Sequence, residues 1–117
     1  MKPGQPVRGS VTGRPIMALL DLLGRRWTMR VLWELSISTR SFRDLQTSCD
    51  NVSSSVLNTR LNELKESRLV ELDSEGYRLS LTGSELLKII SPLREWADTW
   101  GHELSEQLLA RSEAGVQ

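Results

Sequence analysis

Residues 41–81 read SFRDLQTSCDNVSSSVLNTRLNELKESRLVELDSEGYRLSL, and four local signals follow one another along them. Ser41 stands three residues before Asp44, the S-x-x-D spacing with which a hydroxyl caps a helix N-terminus. Phe42 and Leu45 give the short helix that follows its core contacts. Cys49-Asp50-Asn51-Val52 breaks it, because Asp and Asn bond their own backbone and favour turns. Ser53 caps a second helix that should end near Ser67 or Arg68. Its Leu57, Leu61 and Leu64 recur at i, i+4 and i+7 and so share one face. Ser55, Thr59, Asn62 and Glu66 take the opposite face, with Asn58 beside it and Ser54 in the first turn. Finally, Leu69–Asp73 and Tyr77–Leu81 alternate apolar and polar residues across Ser74-Glu75-Gly76, which predicts a small β-hairpin.

A short capped helix, a turn, a helix polar on one side and a hairpin form a winged helix-turn-helix, here over roughly Ser41 to Leu81. A B-DNA major groove admits one α-helix, so a helix held by one apolar face can present the other to base edges. Ser54, Ser55, Asn58 and Thr59 are the expected readers, and Asn58 suits the paired donor and acceptor of adenine. Arg40 and Arg43 flank the first helix of the motif and are expected on phosphates. Arg60 lies at the border of the apolar face, with two readings: a phosphate contact, or an ion pair with Asp44 or Glu63. The wing tip Asp73-Ser74-Glu75-Gly76 is acidic, which leaves Arg78 as the wing's one basic contact. An ordinary amphipathic helix with a solvated face is the plain alternative. A winged helix that binds protein is another, kept open by the acidic wing.

Outward from this stretch, residues 1–14 are rich in Gly, Pro and polar groups and are expected to be a flexible arm. Residues 15–36 should hold two helices. Pro15 suits a first helical position and Gly24 a helix end. Trp27, Val31, Leu32 and Leu35 give the second helix one buried face. Downstream, Thr82 and Glu85 form a T-x-x-E capping pattern. Leu86, Ile90, Leu93, Ala97, Trp100 and Leu104 then make a seam along one long helix over 82–110, with a kink expected at Pro92. Residues 111–117 read as a flexible tail. The expected fold is mainly α with a small β-hairpin wing, as a single domain over 15–110: N-terminal helices at 15–36, the helix-turn-helix at 41–68, the wing at 69–81 and the C-terminal helix at 82–110.

Composition narrows the function classes. The 117 residues carry no formal net charge, which argues against a purely electrostatic DNA binder. Charge is nonetheless uneven: Lys2, Arg8, Arg14, Arg25, Arg26, Arg30, Arg40 and Arg43 fall in the first fifty residues, whereas the stretch from Thr82 onward is acidic. Cys49 is the one cysteine, so no internal disulfide can form, in keeping with a reducing compartment. With His102 the only histidine, no metal site, cofactor motif or catalytic constellation is suggested, and an enzyme is not expected. No apolar run is long enough to span a bilayer and none resembles a signal peptide, so a cytoplasmic protein without membrane association is expected.

Several motifs together resemble the HxlR-type transcriptional regulators. Leu22-Leu23-Gly24-Arg25-Arg26-Trp27-Thr28 with Val31-Leu32-Trp33-Glu34-Leu35 is similar to that family's opening L-I-G-G-K-W-T and I-L-R-E-L. Phe42-Arg43-Asp44-Leu45, the segment Val52 to Leu64, Tyr77 to Gly83, and Trp96 with Trp100 resemble its later motifs in order, so the likeness spans about Pro15 to Trp100. The resemblance implies a bacterial or archaeal regulator, acting as a homodimer on double-stranded DNA, most simply as a repressor. It also implies that the first and last helices build the dimer, which assigns Leu19, Leu23, Ile90, Leu93, Trp96, Trp100 and Leu104 to the interface. Many members carry Cys-Pro before the first helix; Arg14-Pro15 stands there in this chain, which removes that thiol. Cys49 has two readings, an oxidisable thiol in the turn or a small buried residue. The four tryptophans, Trp27, Trp33, Trp96 and Trp100, admit a further reading, a small-molecule effector held between aromatic walls.

Overall fold

Leu57, Leu61 and Leu64 are all but fully buried, and the remaining elements are arranged around them. The computed structural model describes residues 14–115 of the chain. The expected N-terminal arm therefore lies outside the described residues except for Arg14, as do the last two residues of the tail. The elements run α1 (Pro15–Leu23), α2 (Thr28–Ile37), α3 (Phe42–Ser48), α4 (Ser54–Glu66), β1 (Val70–Asp73), β2 (Gly76–Leu79) and α5 (Leu81–Gly115). They divide into two compact units, one ending at Leu87 and the other beginning at Lys88. The fold class is the one read from the sequence, mainly helical with a two-stranded antiparallel hairpin.

In the first unit, the α4 leucines pack with Val31, Leu32 and Leu35 of α2, Leu45 of α3, and Leu69, Val70 and Tyr77 around the hairpin. Each fully buried leucine contributes about 1.5–3 kcal/mol relative to exposure. Pro15 occupies the first turn of α1 and Gly24 caps its end, as its sequence position suggested. Trp27, just before α2, adopts a left-handed φ of 75°, a conformation that a bulky side chain takes only when its surroundings hold it there.

The hairpin pairs Val70 with Leu79, Glu71 with Arg78, Leu72 with Tyr77 and Asp73 with Gly76. The Asp73 carboxylate accepts the Glu75 N–H at 2.8 Å and closes the two-residue turn. A polar connector was all that Ser38–Arg40 suggested, yet Arg40 forms a backbone bridge with Tyr77, its N–H donating at 3.0 Å and its carbonyl accepting at 2.8 Å. One bridged residue is too short to leave a period-two signal. The bridge explains Gly76: its φ is 128°, and a Cβ there would sit 2.6 Å from the Arg40 carbonyl oxygen.

Two expectations need correction at α5. Its cap is Ser80, not Thr82: Ser80 Oγ accepts the Gly83 N–H at 2.9 Å and donates to the Arg68 carbonyl at 2.6 Å. The hairpin delivers Ser80 to the helix start, and Thr82 is left exposed inside the first turn. Pro92, where the kink is expected, lies inside α5, which is one helical element on both sides of it. The helix also runs to Gly115, past the expected end at Ala110, because no glycine or proline falls between Gly101 and that residue.

Cys49 is fully buried beneath the turn between α3 and α4. Burial pushes its thiol above the ordinary cysteine range, with Arg30 opposing more weakly. The thiolate is the reactive form, so this environment suits a small core residue better than a sensor.

Gly83 carries the clearest steric demand. A Cβ at this buried position would lie 2.1 Å from the Leu69 carbonyl oxygen. Gly83→Ala is therefore expected to lower unfolding stability by about 1–3 kcal/mol, read as a shifted urea midpoint at unchanged slope. An unshifted midpoint would contradict the close packing of the α5 start on Leu69.

Candidate nucleic-acid interface

Two hydroxyl caps and two left-handed residues shape the helix-turn-helix. Ser41 Oγ accepts the Asp44 N–H at 3.1 Å, and Ser53 Oγ accepts the Val56 N–H at 3.2 Å. Between the helices, Asp50 and Asn51 adopt φ of 56° and 57°, which their short polar side chains tolerate. Gln46 reaches across the turn: its Nε2 donates to the Val52 carbonyl at 2.9 Å and to Ser54 Oγ at 3.1 Å. The sequence pattern gave Gln46 no role, since a bond spanning eight residues has no local signature.

The outward face of α4 is as expected. Ser54, Ser55, Asn58 and Thr59 are all exposed. Thr59 Oγ1 donates back to the Ser55 carbonyl at 2.9 Å, so its hydroxyl proton is already used. Among the described residues the Asn58 side chain has no partner, which leaves its donor and acceptor open. Asn62, one turn further on, is exposed as well and extends the same face.

The arginines divide sharply. Arg43 is exposed and has no ion-pair partner among the described residues. Arg40 is engaged: its guanidinium meets Glu34 at 3.3 Å and donates to Ser48 Oγ at 3.0 Å, with Nε on the Glu34 carbonyl. Of the two readings of Arg60, the ion pair is present, with Nη1 at 2.9 Å from Glu63 Oε1. Glu63 also receives Arg25, which lies 2.9 Å from Asp21. Arg78 is held on the wing by Glu71 at 3.2 Å and Asp73 at 2.7 Å. The wing's one cation thus faces its own acids, and two of the four expected phosphate ligands, Arg40 and Arg60, are drawn inward.

The residues assigned to a dimer contact fall in both units. On α1, Leu19 and Leu23 are half-buried, Leu23 against the core, while the exposed positions are Ile16 and Leu20. In the second unit Ile90 is half-buried, whereas Leu93, Trp96, Trp100 and Leu104 are exposed, the two indoles at 61% and 50%. Trp96 and Trp100 stack with ring centroids 5.8 Å apart. Leu108 and Leu109 continue the exposed apolar surface beyond the residues read from sequence. Among the described residues no helix is long and apolar enough to cross a membrane, and no group of His, Cys, Asp and Glu could hold a metal ion.

Comparison with known proteins agrees with this architecture. A family profile described as HxlR-like helix-turn-helix matches residues 22–105. An uncharacterized HTH-type transcriptional regulator of Methanocaldococcus jannaschii is 31% identical over 88 residues, covering 72% of this chain and 83% of that protein. Among solved structures, quinone-bound YodB from B. subtilis superposes with a TM-score of 0.68 at 26% identity, covering 72% of this chain and 96% of that one. A possible HxlR family transcriptional factor from Thermoplasma volcanium gives a TM-score of 0.65 at 28% identity, covering 75% of this chain and 85% of that one. These relatives are transcriptional regulators, and no catalytic family is indicated. The motifs, the fold and these matches agree: the chain belongs to the HxlR family of helix-turn-helix transcriptional regulators.

Proposed function

We propose that this regulator binds double-stranded DNA as a homodimer in the cytoplasm, with α4 in the major groove, and acts as a repressor by occupying its operator. The observation that carries the reading is the outward face of α4, where Ser55, Asn58, Thr59 and Asn62 are exposed on a helix whose leucine stripe is buried in the core. Ser54 stands at the helix N-terminus, where free N–H groups favour phosphate. Arg43 at the start of α3 is the best-placed phosphate ligand, being exposed with no ion-pair partner among the described residues. Arg40, Arg60 and Arg78 contribute less, because each would have to leave an internal carboxylate. One helix reads few base pairs, and two-fold symmetry doubles the site. The exposed Ile16 and Leu20 of α1 and the exposed Leu93, Trp96, Trp100 and Leu104 of α5 supply apolar surface for a second copy.

A second reading concerns an effector. The stacked, half-exposed Trp96 and Trp100 form an aromatic surface, and the neighbour YodB has been solved with a quinone bound. A flat apolar ring could lie against this pair without a reactive cysteine.

Binding to labelled duplexes tests the main reading. Sequences selected from a random duplex pool should bind more tightly than random duplex, and both should weaken as salt rises. Asn58→Ala is expected to lose roughly 1–3 kcal/mol of preference at one base pair. Arg43→Ala should weaken binding to every sequence and flatten the salt slope by about one contact. Absence of binding at low salt would overturn the DNA reading in favour of a winged helix that binds protein. For the effector, titration with a fully substituted benzoquinone should quench tryptophan fluorescence saturably. Quenching that stays linear, as for free tryptophan, would contradict it.

A further inference from the structure

The charge cluster Asp21–Arg25–Glu63–Arg60 lies away from the outward face of α4, yet it grips that helix. Arg25 follows the Gly24 cap of α1, with its backbone N–H on the Leu22 carbonyl at 3.2 Å. Its guanidinium is shared between Asp21 of α1, at 2.9 Å, and Glu63 of α4. Glu63 Oε1 also accepts Arg60 Nη1 at 2.9 Å, so one carboxylate holds two guanidinium groups. Arg60 Nε is buried with no partner among the described residues.

The leucine stripe alone leaves one degree of freedom loosely set. Apolar contact is non-directional, so burial of Leu57, Leu61 and Leu64 sets how deeply α4 sits more firmly than its roll about its own axis. Charge-assisted hydrogen bonds are directional and can fix that roll. The 3.6-residue period places Glu63 and Arg60 on one flank of the stripe and Ser54 on the other. Arg25 holds the first flank and Gln46, through Ser54, the second. A roll that released Glu63 from Arg25 would leave that carboxylate with Arg60, its neighbour on the same helix, and no partner on α1.

We propose that Arg25 is a positioning residue for DNA recognition: acting through Glu63, it fixes the roll of α4 and thereby which side chains of the outward face meet the bases. The proposal rests on the reading of α4 as the major-groove helix. The cluster is a weak stabiliser and a strong orienter. Arg25 and Glu63 side chains are each 24% exposed, and partly solvated pairs contribute little to unfolding free energy. A small roll, by contrast, misaligns every base contact at once.

Arg25→Gln and the double variant Arg25→Gln/Glu63→Gln test it in the full chain, at a temperature where circular dichroism shows each variant folded. Binding is measured to the duplex enriched by selection and to random duplex, across salt. The expected result for Arg25→Gln is a loss of at least about tenfold in preference for the selected duplex, since one misaligned base contact alone is worth that much. Random-duplex affinity should change less than about twofold, with an unchanged salt slope, because no phosphate contact is lost. The double variant should show close to the loss of Arg25→Gln alone, because both substitutions break the same pair. Unchanged preference overturns the proposal. So does an equal loss on both duplexes with a flattened salt slope, which would make Arg25 a phosphate ligand. Should Arg25→Gln fail to fold, Asp21→Asn carries the same two arms, since it leaves Arg25 on Glu63 but removes the second charge that orients it. Failure of the wild-type chain to bind any duplex would instead overturn the DNA reading itself.

Discussion

The burial of Leu57, Leu61 and Leu64 on one side of a helix polar on the other is the constraint from which the rest follows. A helix with one apolar stripe cannot be solvated all round, nor can it be enclosed without stranding Ser55, Asn58 and Asn62. It must lie on the edge of a core. Helices α2 and α3 and the hairpin supply that core, and Ser53 ends the free N-terminus of α4. What remains outside is a row of small and amide-bearing side chains on a rigid rod, the shape that a groove lined with donors and acceptors accepts.

Electrostatics gives this regulator a particular character. Its neutral net charge reflects 15 basic side chains balanced by 15 acidic ones, and several of its arginines are matched to acids within the fold. Arg25 and Arg60 are tied to Glu63, Arg40 to Glu34, and Arg78 to Glu71 and Asp73. Internal pairing stabilises loops and junctions while withdrawing charge from the surface that would meet phosphate. On the proposed function, affinity then leans more on base contacts and shape than on counterion release, and the wing serves chiefly to pack. The buried, hard-to-ionise Cys49 fits the same economy: it fills space under the turn.

How much of this was legible depends on the range of the interaction. The caps at Ser41 and Ser53, the leucine stripe and the Ser74-Glu75 turn are local, so their spacing reveals them. The motif resemblance placed the family correctly because the same local signals recur in fixed order. The Arg25–Glu63 pair spans 38 residues and leaves no periodic trace, and the Arg40–Tyr77 bridge is a single residue wide. Ser80 and Thr82 are both hydroxyls near the start of α5, and only the path of the hairpin decides that Ser80 is the cap. The pairing of Arg40 with Glu34 is hidden in the same way, since a connector residue and a residue of α2 share no period. Outward-facing residues were easier to find than inward-facing charges, because amphipathic period reports exposure but not partners.

The central claim, two copies of α4 in successive major grooves, is tested most directly by methylation protection on the duplex enriched by selection. Dimethyl sulfate reports guanine N7 in the major groove and adenine N3 in the minor groove. The account predicts two blocks of protected guanine N7 related by two-fold symmetry, their centres about 10 base pairs apart, with adenine N3 reactive between them. Protection confined to adenine N3, or a single unpaired block at saturating protein, would contradict it.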